Sequence, residues 1–154
     1  MKGSLEARRV IQERKKRYTI IIIADRGRAR IFLRRYKRLV EFKDLIADHR
    51  AAHEAGTSKP GRVQERAAMA RHAIEPRTDP DQKQEKDFAV QVAHTLKETT
   101  ESYDTKEIIL IAPPEFLGFL RKELAEDIYG KVKREISKDL TKSSLKELES
   151  YLDV

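Results

Sequence analysis

The sequence predicts an α/β sandwich built on a mixed five-stranded sheet. Three observations carry that expectation. Tyr18–Ala24 and Ile108–Ala112 are continuous, β-branched runs, as strands buried on both faces are. Arg28–Arg35 alternates with a period of two, Ala29, Ile31 and Leu33 facing one way and Arg28, Arg30, Phe32 and Arg34 the other, which marks a strand with one buried face. Downstream, apolar residues recur at helical spacing: Phe88, Val92 and Leu96, then Phe116, Leu120, Leu124 and Ile128.

Taken in order, residues 1–17 form a basic extension, helical or disordered, with few apolar anchors. A single domain over 18–154 is expected to follow. Its first strand is Tyr18–Ala24, and Asp25-Arg26-Gly27 is a turn. Arg28–Arg35 is the second strand, Tyr36–Arg38 a short connection and Leu39–Ile46 a third strand, together an antiparallel meander. Residues 47–82 carry Gly56, Pro60, Gly61, Pro76 and Pro80 and read as a long loop region, with a weakly held helix over Val63–Ala73. Gln84–Thr99 is a helix. Strand 107–112 stops at Pro113-Pro114, and Pro114 suits the first position of a helix running to Ile128. Gly130 is expected to end that helix in the left-handed conformation. Lys131–Ile136 is a last strand. Ser144 with Glu147 makes a capping box that opens a helix burying Leu145, Leu148 and Leu152. A right-handed crossover through Gln84–Thr99 sets strand 107–112 parallel to the first strand. The strand order 3-2-1-4-5 follows, which is the ribonuclease H-like arrangement, a three-layer sandwich.

The chain has 154 residues, no cysteine and a formal charge of +7. The missing thiols exclude a disulfide framework, a thiolate metal site and cysteine catalysis. No run approaches the roughly 20 apolar residues of a membrane helix, and no secretory signal stands at residues 1–17. A cytoplasmic protein is expected. The positive charge is clustered: Arg8, Arg9, Arg14, Lys15, Lys16 and Arg17, then Arg26, Arg28, Arg30, Arg34, Arg35, Lys37 and Arg38 with no acid among them. Such clustering fits a phosphate backbone, and equally a solvated basic surface.

Several motifs carry a family resemblance. Ala24-Asp25-Arg26-Gly27-Arg28-Ala29-Arg30-Ile31-Phe32, Pro60-Gly61-Arg62, Arg71-His72-Ala73, Asp79-Pro80 and Phe88-Ala89 come first. Ala112-Pro113-Pro114-Glu115-Phe116-Leu117-Gly118-Phe119-Leu120-Arg121 and Lys138-Asp139-Leu140-Thr141 complete the set. In this order, over about residues 18–152, they resemble the bacterial proteins required for attachment to host cells. That family is similar to the central domain of archaeal and eukaryotic class-1 release factors, which place a Gly-Gly-Gln tripeptide in the ribosome. Here the corresponding loop reads Ser58-Lys59-Pro60-Gly61-Arg62-Val63-Gln64. The tripeptide is absent, and its hydrolysis of peptidyl-tRNA is not carried over.

Two groups of residues are candidate nucleic-acid contacts. Arg28, Arg30 and Arg34 present guanidiniums to phosphate from one strand, with Phe32 either stacking on a base or, as favoured, packed in the core. Lys59, Gly61, Arg62, Arg66 and Arg71 belong to a glycine-bearing loop opening a helix, whose N–H groups and arginine fork suit an anion. Asp25, Glu115 and Asp139 all follow strands and form a weaker catalytic candidate, since ribonuclease H-like nucleases gather carboxylates on divalent ions. Turn and cap chemistry explains the same three residues. His49, His53, His72 and His94 make no ligand set. The expectation is a non-enzymatic RNA- or ribosome-associated protein of the host-attachment, release-factor-like family, with no cofactor and no metal. The alternatives are a metal-dependent nuclease or hydrolase, and a protein-interaction module in cell attachment.

Overall fold

The structure, a computed structural model, describes residues 17–48 and 79–153. Strands β1 (Tyr18–Ala24), β2 (Arg28–Arg35) and β3 (Arg38–Ile46) form the antiparallel meander. Helix α1 (Pro80–Ser102) crosses over to β4 (Thr105–Ala112), which lies parallel to β1. Helices α2 (Pro114–Glu123) and α3 (Glu126–Tyr129) lead to β5 (Val132–Ser137), parallel to β4, and α4 (Leu145–Tyr151) closes the described chain. The sheet order is β3-β2-β1-β4-β5, as the crossover argument requires. The helix expected over Val63–Ala73 falls outside the described residues, as do the bulk of residues 1–17 and of the loop region.

Both faces of the sheet are covered. On one, Ile20, Ile22, Ile31, Ile108 and Leu110 meet Phe88, Val92 and Leu96 of α1 and Phe116, Leu117 and Leu120 of α2. On the other, Ile21, Ile23, Phe32, Ile109 and Ile111 meet Leu148 of α4 and Leu152 beyond it. The paired strands β1 and β4 therefore supply apolar side chains to both layers. β2 does so too: Phe32 is fully buried and Arg30 nearly so. The alternation in β2 thus corresponds to two buried faces, because an arginine that finds internal partners occupies a core position as leucine does.

Four local expectations need correction. Helix α1 begins at Pro80, inside the stretch read as a break. Asp79 is its N-cap, accepting from the Asp81 N–H at 3.2 Å, and Pro80 fills the first turn. The helix after Pro113 does not run unbroken to Ile128. Leu124 and Ala125 take extended backbone and split it, yet Phe116, Leu120, Leu124 and Ile128 all remain buried. Gly130 caps α3 at φ −60°, in right-handed geometry. What glycine provides there is room, since a Cβ would stand 3.3 Å from the Glu126 carbonyl oxygen. Lastly, the capping box at Ser144 forms with both of its hydrogen bonds, but Leu145 is 41% exposed.

Leu148→Ala should destabilise the protein by about 2–5 kcal/mol, and Leu145→Ala by less than about 1 kcal/mol. Urea unfolding of the two variants checks this. Equal losses would show that Leu145 is packed in solution.

Candidate functional site

Arg28, Arg30 and Arg34 of β2 face partners within the protein. Arg28 forks onto Asp44 of β3, Nε to Oδ1 at 2.9 Å and Nη2 to Oδ2 at 2.7 Å. Arg30 forks onto Glu41 at 2.8 and 3.0 Å and donates from Nη1 to the carbonyls of Thr141 and Ser143. Its guanidinium also lies 5.0 Å from the centre of the Phe32 ring, which is core. Arg34 stands 3.6 Å from Glu107 and donates weakly to the Leu152 carbonyl. One irregularity makes the first two pairs possible. The β2–β3 register shifts between Ile31 and Phe32, so that Phe42 is an extra residue. Strict alternation would put Glu41 and Asp44 on opposite faces; the bulge returns both to the arginine face. β3 (Arg38–Ile46) is too polar and exposed for its alternation to show the phase shift, so this pairing was illegible in the sequence. Lys59, Gly61, Arg62, Arg66 and Arg71 lie outside the described residues.

The three candidate carboxylates do come together. Strands β1, β4 and β5 are parallel and end side by side, and Asp25, Glu115 and Asp139 open into one pocket of about 310 Å³ with Arg26, Glu85, Pro113 and Phe116. Strand order reverses between β1 and β4, the position where α/β sheets form their crevices. Asp25 is tightly held. Its Oδ1 accepts from the N–H groups of Gly27 and Arg28 at 2.8 and 2.7 Å, and Oδ2 accepts from the Thr141 hydroxyl at 2.8 Å. The same hydroxyl lies 2.7 Å from Asp139 Oδ1, which also accepts from the Thr141 N–H. Thr141 is buried and its hydroxyl has one proton for two carboxylates. Glu85 reaches in from α1, itself buried, with Arg26 Nε at 3.4 Å. Among the described residues no three Asp, Glu, His or Cys side chains are placed to hold a metal ion. Glu85 was not singled out from the sequence, and Thr141 was read only as the end of the Lys138–Thr141 resemblance motif. Glu85 lies one turn before Phe88 on the apolar stripe of α1, the only signal that it points inward.

The opposite end of the sheet has a different character. Arg35, Lys37 and Arg38 surround the β2–β3 turn, Lys106 lies at the start of β4, and Lys131 and Lys133 flank the start of β5. None of the six has a carboxylate partner among the described residues. Asp104 and Glu107, at the same end, are taken by Arg17 and Arg34; Glu101 closes α1 there. Tyr36 projects from the turn, 86% exposed.

The family model for proteins required for attachment to host cells matches residues 20–152. The chain belongs to that family. No curated relative matches it. Among solved structures, one described as an archaeal protein aligns with a TM-score of 0.52 at 16% identity, covering 96% of this chain and 36% of that one. The archaeal translation termination factor aRF1 aligns at 0.49 and 14%, covering 88% and 37%. This attachment-family chain thus spans little more than a third of either structure, and at such identities the likeness concerns the fold. No helix among the described residues is long and apolar enough to cross a membrane.

Two outcomes test the geometry. Thr141→Val keeps the volume and removes the hydroxyl between the two aspartates, so stability at pH 7 should fall by about 1–2 kcal/mol. Denaturant titration reads this, and an unchanged midpoint would separate Thr141 from the carboxylates. Separately, the hydrogen bond from Arg28 holds the Asp44 carboxyl below its usual range, against the opposing effect of burial. A lowered folded-state value means stability present above about pH 4 and lost as the pH falls through that lower value. The pair is about 40% exposed, so its share is about 0.5 kcal/mol. Asp44→Asn should lose that amount at pH 7 and nothing near pH 2, measured by thermal unfolding across pH.

Proposed function

We propose that this chain is a non-enzymatic RNA-associated protein, binding free or ribosomal RNA through phosphate contacts at the end of the sheet where β4 and β5 begin. One observation carries the reading: a group of cations without carboxylate partners gathers at this end. Arg17, Arg26, Arg28, Arg30, Arg34 and Arg121 each face a carboxylate, whereas Arg35, Lys37, Arg38, Lys106, Lys131 and Lys133 share one end without such partners. A phosphate backbone rewards several unpaired cations at its own spacing, because each contact releases condensed counterions. The arginines first assigned to phosphate on sequence grounds act within the protein on this view, and cations at the strand ends take their place.

The test is binding to a structured RNA, and sedimentation with ribosomes, as salt is raised. Affinity should fall steeply with a linear log–log slope. Lys37→Glu with Arg38→Glu should lower that slope by roughly one per lost contact, while Lys142→Glu, beside the pocket at the other end, should leave it unchanged. No binding at low salt would remove the proposal.

A second reading has the shared pocket in its favour. Asp25, Glu115 and Asp139 would then serve a metal-dependent hydrolase, although as they stand they are not grouped to hold an ion and would have to draw closer around one. RNA degraded in the presence of Mg²⁺ or Mn²⁺, with the degradation lost in Glu115→Gln, would establish it; RNA recovered intact and bound decides for the first.

A further inference from the structure

The β2–β3 turn contains an anomaly that neither the fold nor the grouping of cations explains. Arg35 pairs with Arg38 across the hairpin, so Tyr36 and Lys37 alone make the turn. Tyr36 adopts φ 54°. Two-residue turns put glycine, asparagine or aspartate at positive φ, since a side chain there crowds the following carbonyl. A bulky aromatic residue is the costly choice. Nothing in the core repays it, because the ring is 86% exposed. Its neighbour is the guanidinium of Arg35, 5.1 Å from the ring centre.

The backbone beneath the ring is held by the strand pair. Strand pairing continues to the last residue before the turn, and the adjacent Arg34 is anchored to Glu107 and to the Leu152 carbonyl. The tip thus presents an exposed phenol ring on a paired turn, with the Arg35 guanidinium against it and Lys37 and Arg38 next in the chain. Strained backbone held by its surroundings and directed at solvent is a feature of binding sites.

From this we infer that Tyr36 is a stacking platform for an unpaired nucleobase, with Arg35, Lys37 and Arg38 on the flanking phosphates. The inference rests on the RNA-binding reading above and narrows it to single-stranded or looped RNA. In a duplex the base faces are already stacked on each other and withheld from a ring at a hairpin tip. An unpaired base offers its face, and one such contact is worth about tenfold or more in affinity.

The chain has no tryptophan, so Tyr36→Trp creates a single indole reporter at the tip. Its fluorescence should be quenched by a 12-nucleotide oligouridylate and not by a 12-base-pair RNA duplex. In anisotropy titrations with the same two RNAs, Tyr36→Ala should weaken binding of the single strand about tenfold and leave the duplex within twofold. Tyr36→Phe should bind as the parent does. Tyr36→Gly should show the same loss as Tyr36→Ala without a lower melting midpoint, since it relieves the positive φ, which separates binding from folding. If Tyr36→Ala binds the single strand normally while Lys37→Glu with Arg38→Glu weakens it, the stacking role is overturned and the electrostatic reading stands. If the parent protein binds neither RNA at low salt, both fall. Equal parental affinity for the two RNAs, with no quenching of the Tyr36→Trp variant, also overturns the stacking role.

Discussion

The parallel pairing of β1 with β4 is the constraint on which the rest of the structure depends. Ile20 to Ala24 and Ile108 to Ala112 are buried on both sides of the sheet, so the chain must build a layer on each. Right-handed crossover places α1 on one face and α2 follows it there. Parallel pairing also fixes where the ends of these strands lie. The loops leaving β1, β4 and β5 meet at one end and bring Asp25, Glu115 and Asp139 to a shared pocket, while the segments entering the same strands gather lysines and arginines at the other. The two candidate sites are thus opposite ends of one sheet, with the polarity set by topology.

The second layer is thin, and a buried arginine holds it. Helix α4 has seven residues and presents Leu148 to the sheet, with Leu152 just beyond. Arg30 sits under its approach, bonded to Glu41 and to two carbonyls of the connecting turn. A guanidinium so deeply placed is tolerated only because its donors are matched. In return it fixes the turn, the turn fixes Thr141, and Thr141 orients both pocket aspartates. A residue that in sequence suggests phosphate recognition is here a bracket between the sheet and the loop.

How much could be read in advance followed from how local each signal is. The β-branched runs, the Ser144 capping box and the stripe Phe88-Val92-Leu96 are local, and strands, helices and sheet order were legible from them. The fate of the β2 arginines was not, because it depends on a single extra residue in β3 that realigns Glu41 and Asp44. The convergence of the carboxylates followed from parallel topology, but Glu85 has no signature beyond its place on the α1 stripe, and Thr141, although part of the Lys138–Thr141 motif, gave no sign that its hydroxyl joins two aspartates. Tyr36 read as ordinary turn material; only its backbone angle sets it apart.

The small size of α4 has one more consequence. If this short helix lifts off, Ile21, Ile23, Ile109 and Ile111 become an exposed β-branched surface bordered by Arg30 and Arg34. Surfaces of that kind self-associate into stacked sheets. Local opening at the C-terminal end, well before global unfolding, would then be the event that governs the protein's solubility, and the Ser144 capping box would act as a safeguard against aggregation.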